Sequence, residues 1–363
     1  MIKIDWIKMD KEINTYMITI AREARRKNQT QLANELGIKQ ARLSKIESGI
    51  APIDDELLDK ISLNLNFPKE FFFEQYTPVD TEYKLHRKQA ALKQAELSYI
   101  SSNSNIIDME IGKLLNSLEI DTSIPEKLNL DYLDSPEDVA IGLREYLDLP
   151  KGGVYNVTNL IESMGIIIVN FDYPNIKFDG VSFYNKKNIP IMIINKNLPP
   201  DRDRFTKAHE LGHILMHKFP APDAEKEANL FASEFLMPKK DILADLNNLS
   251  FYSLPNLKRK WKVSMASLIY RAKELHLINE SREKSLWAQM SRAHYRQHEP
   301  EMGILKENTE LLDSILDYHR RVLGYSESDV VKYFSIFSED YNCLFNKNKQ
   351  TNIRVNNILR RVK

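Results

Sequence analysis

Phe205-Thr206-Lys207-Ala208-His209-Glu210-Leu211-Gly212-His213-Ile214-Leu215-Met216-His217 sets Phe205, Ala208, Leu211, Gly212 and Leu215 at helical spacing. The stretch therefore reads as a helix with one side to bury. His209 and His213 are four residues apart, so their imidazoles project from one face at the reach a single Zn²⁺ requires. Glu210 follows the first histidine of this H-E-x-x-H pattern and can serve as base toward a metal-activated water. The metal face would point into the protein.

A catalytic zinc site needs a third protein ligand and leaves its fourth position to water. The segment from Asp223 to Pro238 reads as a second helix, ended by Pro238, with Ala228, Phe231, Ala232, Phe235 and Leu236 on its buried side. Glu225 and Asn229 stand four apart on the face shared with Ala228, Ala232 and Phe235. Glu225 can bind the ion while Asn229 orients a ligand histidine from behind. Glu227 competes for the ligand role, but it lies about 200° around the helix and reads more simply as a solvated charge. His217 lies about 12 Å along the helix axis from His209, too far to share an ion with bonds of about 2 Å. The longer pattern H-E-x-x-H-x-x-G-x-x-H is also missing, since Met216 and Phe219 stand where it needs glycine and histidine. A glutamate-liganded site is favoured, and His₂Glu ligation admits Mn²⁺ as well as Zn²⁺.

This region resembles the ImmA/IrrE-type metallopeptidases, whose signature runs phenylalanine-threonine, H-E-x-G-H, then E-x-x-A-N-x-F-A-x-x-L-M-P. The matching residues are Phe205, Thr206, His209 to His213, Glu225, Ala228, Asn229, Phe231, Ala232, Leu236, Met237 and Pro238. Asp179 to Phe183 and Pro190 to Asn195 resemble that family's short strands before the active-site helix. Gly165 to Val169 and Ile189 to Ile194 read independently as buried strands, from β-branched runs bounded by Pro, Asn and Gly. The resemblance covers roughly residues 135 to 300 and implies a gluzincin-like zinc endopeptidase. On that basis His209, His213 and Glu225 hold the ion, and Glu210 passes the water's proton to the leaving nitrogen. The implied protein substrate is a repressor, a toxin or antitoxin, or another copy of this chain, in stress response or mobile-element control. An oxyanion donor is not identified; Tyr184 and His217 are candidates.

A separate signal lies in Gln29-Thr30-Gln31-Leu32-Ala33-Asn34-Glu35-Leu36-Gly37-Ile38-Lys39-Gln40-Ala41-Arg42-Leu43-Ser44-Lys45-Ile46-Glu47-Ser48-Gly49. Leu32, Ala33, Gly37, Ile38, Leu43 and Ile46 fit a short helix, a glycine turn and a second helix, with Ala33 small where the helices cross. The pattern resembles the phage-repressor-like XRE family over roughly residues 15 to 76. That resemblance implies a second helix in the major groove of a DNA operator, presenting Gln40, Ala41, Arg42 and Lys45, with Gln29 anchoring to phosphate. The competing reading is a small bundle for protein contacts. Overall charge does not decide, since Lys+Arg 51 balances Asp+Glu 51. Locally, Arg22, Arg25, Arg26, Lys27, Lys39, Arg42 and Lys45 face only Glu23 and Glu35, an excess of five positive charges over the expected contact surface. A homodimer would bind more tightly than one module.

A chain of 363 residues with 42% hydrophobic and 28% charged residues is long enough for several parts and ordinary in composition. No run approaches the roughly 18 apolar residues of a membrane span, and Met1 to Trp6 lacks the apolar stretch of a secretory leader. No membrane partner and a cytoplasmic location are expected. The single Cys343 excludes an internal disulfide framework and a Cys-rich zinc site, and reads as a buried or half-buried side chain.

The expected architecture is mainly α with a small β-sheet (α+β). It runs from a five-helix phage-repressor-like bundle (1–76) through a helical connector (77–134) to a zincin-like core with short strands (135–255). A helix-turn-helix-like unit (256–300) and a helical carboxy-terminal region with a basic tail (301–363) follow. The connector carries Leu85, Ala90, Ala91, Leu92, Ala95 and Leu97, then Ile106 to Leu118, as an apolar stripe open to packing or dimerisation. The unit around Trp261 to Leu275 reads either as a second DNA contact or as a wall limiting access to the cleft. Helices are expected over Leu311–Gly324 and Glu327–Phe337, with Lys347, Lys349, Arg354, Arg360, Arg361 and Lys363 as a solvated tail. Two other functions compete with the enzyme: a transcription factor sensing a ligand or partner without proteolysis, and one half of a toxin-antitoxin or phage-defence pair. The presence of Glu210 favours the enzyme, since binding alone would not need a proton shuttle.

Overall fold

The structure, a computed structural model, describes residues 12–78, 92–120, 122, 135–217, 222–326, 329, 333–345 and 359–361, with residues 343, 345 and 359–361 described by backbone only. The side chain of Cys343, the connector residues Leu85, Ala90 and Ala91, and tail residues Lys347, Lys349, Arg354 and Lys363 lie outside the described set, as does much of 327–337.

The amino-terminal bundle comprises α1 (Tyr16–Ala24), α2 (Gln29–Glu35), α3 (Gln40–Glu47), α4 (Asp55–Leu65) and the short 3₁₀ helix α5 (Lys69–Phe73). Asn28 starts α2 with a reciprocal cap: its side chain accepts from Gln31 N–H at 2.9 Å while Gln31 Oε1 accepts from Asn28 N–H at 2.8 Å. Gly37, at φ 69°, turns the chain from α2 into α3, a conformation costly for a residue with a Cβ. Leu32, Ala33, Leu43, Ile46, Leu58 and Ile61 close the bundle's core.

The remaining elements are α6 (Gln94–Leu114), β1 (Leu118–Ile120), α7 (Pro136–Tyr146), α8 (Val157–Ser163), β2 (Ile167–Phe171), β3 (Gly180–Tyr184), β4 (Pro190–Asn195), α9 (Pro200–Met216), α10 (Ala224–Leu236), α11 (Lys239–Leu246), α12 (Leu254–Trp261), α13 (Met265–Glu274), α14 (Glu280–Arg292), α15 (Leu311–Arg321), α16 (Ser338–Phe345) and β5 (Leu359–Arg361). The fold is mainly α with a small mixed sheet, as expected. β2 starts later than the sequence suggested because Gly165, at φ 80°, still belongs to the turn that ends α8. The carboxy-terminal expectation needs two corrections: α15 ends at Arg321, and Arg360 and Arg361 pair with Glu119 and Leu118 in an antiparallel ribbon rather than trailing as a free tail.

The three-stranded sheet runs in the order β2-β4-β3, with β2 parallel and β3 antiparallel to β4. Both its faces are covered, so all six residues of β4 are buried. Ile166, Ile168, Met192 and Ile194 join a core made with α9 and α10. Ile167, Val169, Val181, Phe183, Ile191 and Ile193 face the other way, into a core shared with α6, α15 and the amino-terminal bundle. Strand alternation thus sends one sheet into two cores.

α6 lies in the region read as a helical connector, and its apolar stripe packs on neighbouring elements. It is buried from Ile100 through Ile111, its polar Ser101 to Asn105, Asp108 and Glu110 included. The polar side chains find partners around them: Ser102 Oγ donates to Glu23 at 3.1 Å and Tyr76 OH donates to Asp108 at 2.8 Å. Arg25 bonds Asp340, while the Arg26 guanidinium stacks 4.2 Å from the Tyr99 ring centre and donates to Pro174 O at 2.8 Å. The bundle is therefore packed onto the rest of the chain through α1 and α6. Among the described residues, no helix is long and apolar enough to cross a membrane.

Candidate active site and nucleic-acid face

Pro200 begins α9 within its first turn, where a missing N–H costs nothing, and Asp201 and Asp203 sit favourably near the positive end of the helix. Buried pairs fix the helix in place. Lys207 Nζ donates to Asp203 at 2.6 Å and to Thr158 of α8 at 2.8 Å, and burial lowers the Lys207 pKa against the pull of Asp203. Arg204 is bonded to Glu307 and to Val154 O, with burial pulling its pKa down to about 10.

β3 lies along α9 in a matched register. Gly180, Ser182 and Tyr184 alternate toward the helix, and Thr206, Glu210 and Ile214 stand one turn apart facing them. Two strand residues advance about 6.6 Å and four helix residues about 6.0 Å, so the three pairs stay aligned. A Cβ on Gly180 would come 3.2 Å from Thr206 Cγ2 and 2.8 Å from Ile194 Cδ1. Ser182 Oγ donates to Glu210 Oε2 at 2.8 Å, and Tyr184 OH donates to Ile214 O at 3.1 Å. Ser182 is not singled out by the sequence reading; its signal is a small polar residue between Val181 and Phe183 in a strand-like run.

Gly212 brings α10 close. A Cβ there would sit 3.0 Å from Phe231 Cδ1 and 3.3 Å from Ala228 Cα. That approach carries Glu225 and Asn229 to the histidines. His209 Nε2 and His213 Nε2 are 3.0 Å apart, and Glu225 lies 3.4 Å from the first and 3.2 Å from the second. Among the described residues, His209, His213 and Glu225 form a group able to hold a metal ion. The spacings suit that chemistry, since two ligands about 2.05 Å from a tetrahedral ion stand roughly 3.3 Å apart. Asn229 Oδ1 is 3.0 Å from His209 Nδ1, so it can accept that ring's N–H and leave Nε2 facing the cluster.

Glu227 keeps a partly solvated carboxylate, as expected from its helical angle, but that carboxylate is also paired. Its Oε2 lies 2.8 Å from His217 Nε2, and His217 Nδ1 lies 3.0 Å from His213 Nδ1. The oxyanion candidates have other partners: the Tyr184 hydroxyl donates to Ile214 O, and the His217 ring nitrogens face His213 and Glu227.

That cleft, ≈ 1570 Å³, is lined by His209, Glu210, Glu225 and Asn229, by Arg202 and Phe205 of α9, and by Lys258, Ser267 and Tyr270 of α12 and α13. The α12–α13 pair, joined through Lys262 in the left-handed conformation at φ 53°, therefore forms a wall of the cleft. Glu299 holds the pair in place, accepting from Lys258 Nζ at 2.9 Å and from the backbone N–H groups of Met265 at 2.7 Å and Ala266 at 3.0 Å.

In the amino-terminal bundle, Gln40, Ala41, Arg42 and Lys45 are exposed on α3. Gln29 Nε2 donates to Glu47 at 2.7 Å and its Oε1 accepts from Gln40 Nε2 at 2.7 Å, so Gln29 braces the start of α3. The expected seven-cation surface is corrected. Arg22 pairs with Glu47 at 2.6 Å, Arg25 with Asp340 at 2.6 Å and Lys27 with Glu35 at 2.6 Å, while Arg26 turns to Pro174 and Tyr99. Lys39, Arg42 and Lys45 are the exposed cations of α3 and its amino-terminal cap.

Residues 161–273 match the family described as the IrrE N-terminal-like domain, and residues 18–72 match the family described as helix-turn-helix. No curated protein matches the chain. One polypeptide thus fuses an XRE-type helix-turn-helix region to an IrrE-like domain.

Proposed function

We propose that this protein is a DNA-binding regulator with a metal-dependent endopeptidase, acting on a regulatory protein such as a repressor, toxin or antitoxin. The carrying observation is the convergence of His209 Nε2, His213 Nε2 and Glu225, with Glu210 next in sequence and the open cleft in front. His209, His213 and Glu225 would hold Zn²⁺, with Mn²⁺ as the alternative ion for the same donor set. When bound, the ion supplies Lewis-acid polarisation of a water and of the scissile carbonyl.

The chain's own residues do the rest. The Glu210 carboxylate takes a proton from the attacking water and returns it to the leaving amide nitrogen. Ser182 Oγ, donating to Oε2, holds that carboxylate in one orientation beneath the cleft. Asn229 fixes the His209 tautomer that leaves Nε2 as the ligand atom. Gln40, Ala41, Arg42 and Lys45 would meet base edges and phosphates in the major groove.

The test is paired: metal content of purified wild type and of His209→Ala, and proteomic comparison of cells expressing wild type or Glu210→Gln. Bound metal lost in His209→Ala, with a fragment that disappears in Glu210→Gln, is the expected result. Bound metal with identical proteomes under inducing stress would instead favour a sensor that does not cut.

A further inference from the structure

His213 and His217 sit one turn apart on α9 with their Nδ1 atoms 3.0 Å apart, and His217 Nε2 stands 2.8 Å from Glu227 Oε2. We propose that Glu227 and His217 form a relay that positions His213 and strengthens it as a metal ligand, a role that rests on the metal centre proposed above.

The polarity follows from which atoms can donate. An ionised carboxylate only accepts, so His217 Nε2 carries the proton it shares with Glu227. A neutral His217 ring then has a lone pair at Nδ1 and accepts from His213 Nδ1–H. This selects the His213 tautomer whose Nε2 lone pair faces His209 Nε2 at 3.0 Å and Glu225 Oε1 at 3.2 Å. The reverse polarity would put a proton on His213 Nε2, in the middle of the ligand cluster, where it would oppose ligation.

The two ligand histidines therefore lean on unlike acceptors. His209 donates to a neutral amide, Asn229 Oδ1, at 3.0 Å. His213 donates to an imidazole backed by a charge, which makes its ring the more electron-rich ligand. The His217 side chain is 6% exposed and that of Glu227 is 38% exposed, so the link between charge and ligand is shielded while the charge itself stays hydrated. α10 thus supplies both ends of the arrangement: Glu225 to the cluster and Glu227 to the relay behind it.

The probe is the metal alone. Zn²⁺ affinity is measured against a chromophoric chelator for wild type, Glu227→Gln and His217→Ala, alongside visible spectra of the Co²⁺-loaded proteins and melting of the metal-free forms. In Glu227→Gln, which keeps the shape of the side chain, Zn²⁺ affinity should fall roughly 10–100-fold, the scale typical of losing a partner behind a ligand. The Co²⁺ spectrum should shift while metal-free melting stays as in wild type. Glu227→Asp should recover part of the affinity. Wild-type affinity and an unchanged spectrum in Glu227→Gln would overturn the relay and leave the metal centre standing. If wild type binds no stoichiometric Zn²⁺, or His213→Ala binds it as wild type does, the centre itself falls and the relay with it. Should His217→Ala fail to fold, Glu227→Gln alone decides.

Discussion

Ser182 Oγ, in the middle of β3, donates to Glu210 Oε2 of α9 across 2.8 Å, and both residues are buried. The contact ties the proposed proton carrier to the sheet rather than to solvent, so the base is aimed by the fold. The same sheet carries the amino-terminal bundle's core on its other face.

Glu210→Gln should lower kcat for peptide cleavage by about 10²–10⁴, the usual contribution of a placed acid–base group, without changing metal stoichiometry. Ser182→Ala should cost less, about tenfold, because the carboxylate stays but loses its aim. Kinetics on a cleaved peptide with parallel metal analysis check both. Equal rates for Ser182→Ala and wild type would remove the aiming role.

Zn²⁺ should stabilise the protein, since the ligand cluster spans α9 and α10 and exists only in the folded chain. At free metal about 100 times Kd the gain is about 2.7 kcal/mol by mass action. Calorimetry with and without a chelator should show a reversible rise in Tm, and Glu225→Gln should abolish most of it.

The legible parts were those written in local periodicity. H-E-x-x-H, the Glu225–Asn229 spacing and the β-branched strands each declare themselves within one element. The burial of Ser101 to Asn105 in α6 does not, because these polar residues carry no apolar period and are buried only once the bundle, α15 and the sheet surround them. The partners of Arg22 and Arg25 are hidden for a related reason: Glu47 and Asp340 become their neighbours only through tertiary packing. The His217–Glu227 contact likewise needs two helices in position, which a single-helix angle for Glu227 could not reveal.

Gly212→Ala should destabilise the protein by about 1–3 kcal/mol, the range for forcing extra volume into a packed core. The added Cβ meets the Ala228 backbone at 3.3 Å as well as the Phe231 ring at 3.0 Å, so a rotamer change alone cannot relieve it. Because the strain pushes α10 from α9, metal affinity should fall together with urea stability. A loss of stability with wild-type affinity would mean that the ring yields and the helix stays.

Arg42→Ala should weaken binding to the operator and reduce the slope of log K against log salt by about one if Arg42 meets a phosphate, or relax base preference if it reads guanine. Arg25→Ala should leave both unchanged, because its guanidinium is bound to Asp340 and the carbonyls of Leu65 and Asn66. Fluorescence anisotropy over a salt series separates the two. Equal losses in both variants would put α1 on the DNA beside α3.

The stability that a protonated Asp108 contributes should fall as pH rises through the acid-to-neutral range. Burial pushes its carboxyl up to about 6, with the Tyr76 hydroxyl bond and the Lys186 charge pulling only partly the other way. Glu110, on the same helix, is pushed up to about 7 by burial, opposed by Lys113. The folded state therefore holds protons more tightly than the unfolded chain, whose aspartates titrate near about 3.9. Stability from this source is full below about pH 4 and is lost as pH climbs through about 6. Asp108→Asn keeps an oxygen for Tyr76 but cannot ionise. It should match wild type most closely near pH 4 and gain on it with rising pH, by up to about 3 kcal/mol at pH 8. Urea unfolding of both proteins from pH 4 to 8 gives that difference directly, and a difference independent of pH would show that Asp108 is hydrated in the folded state.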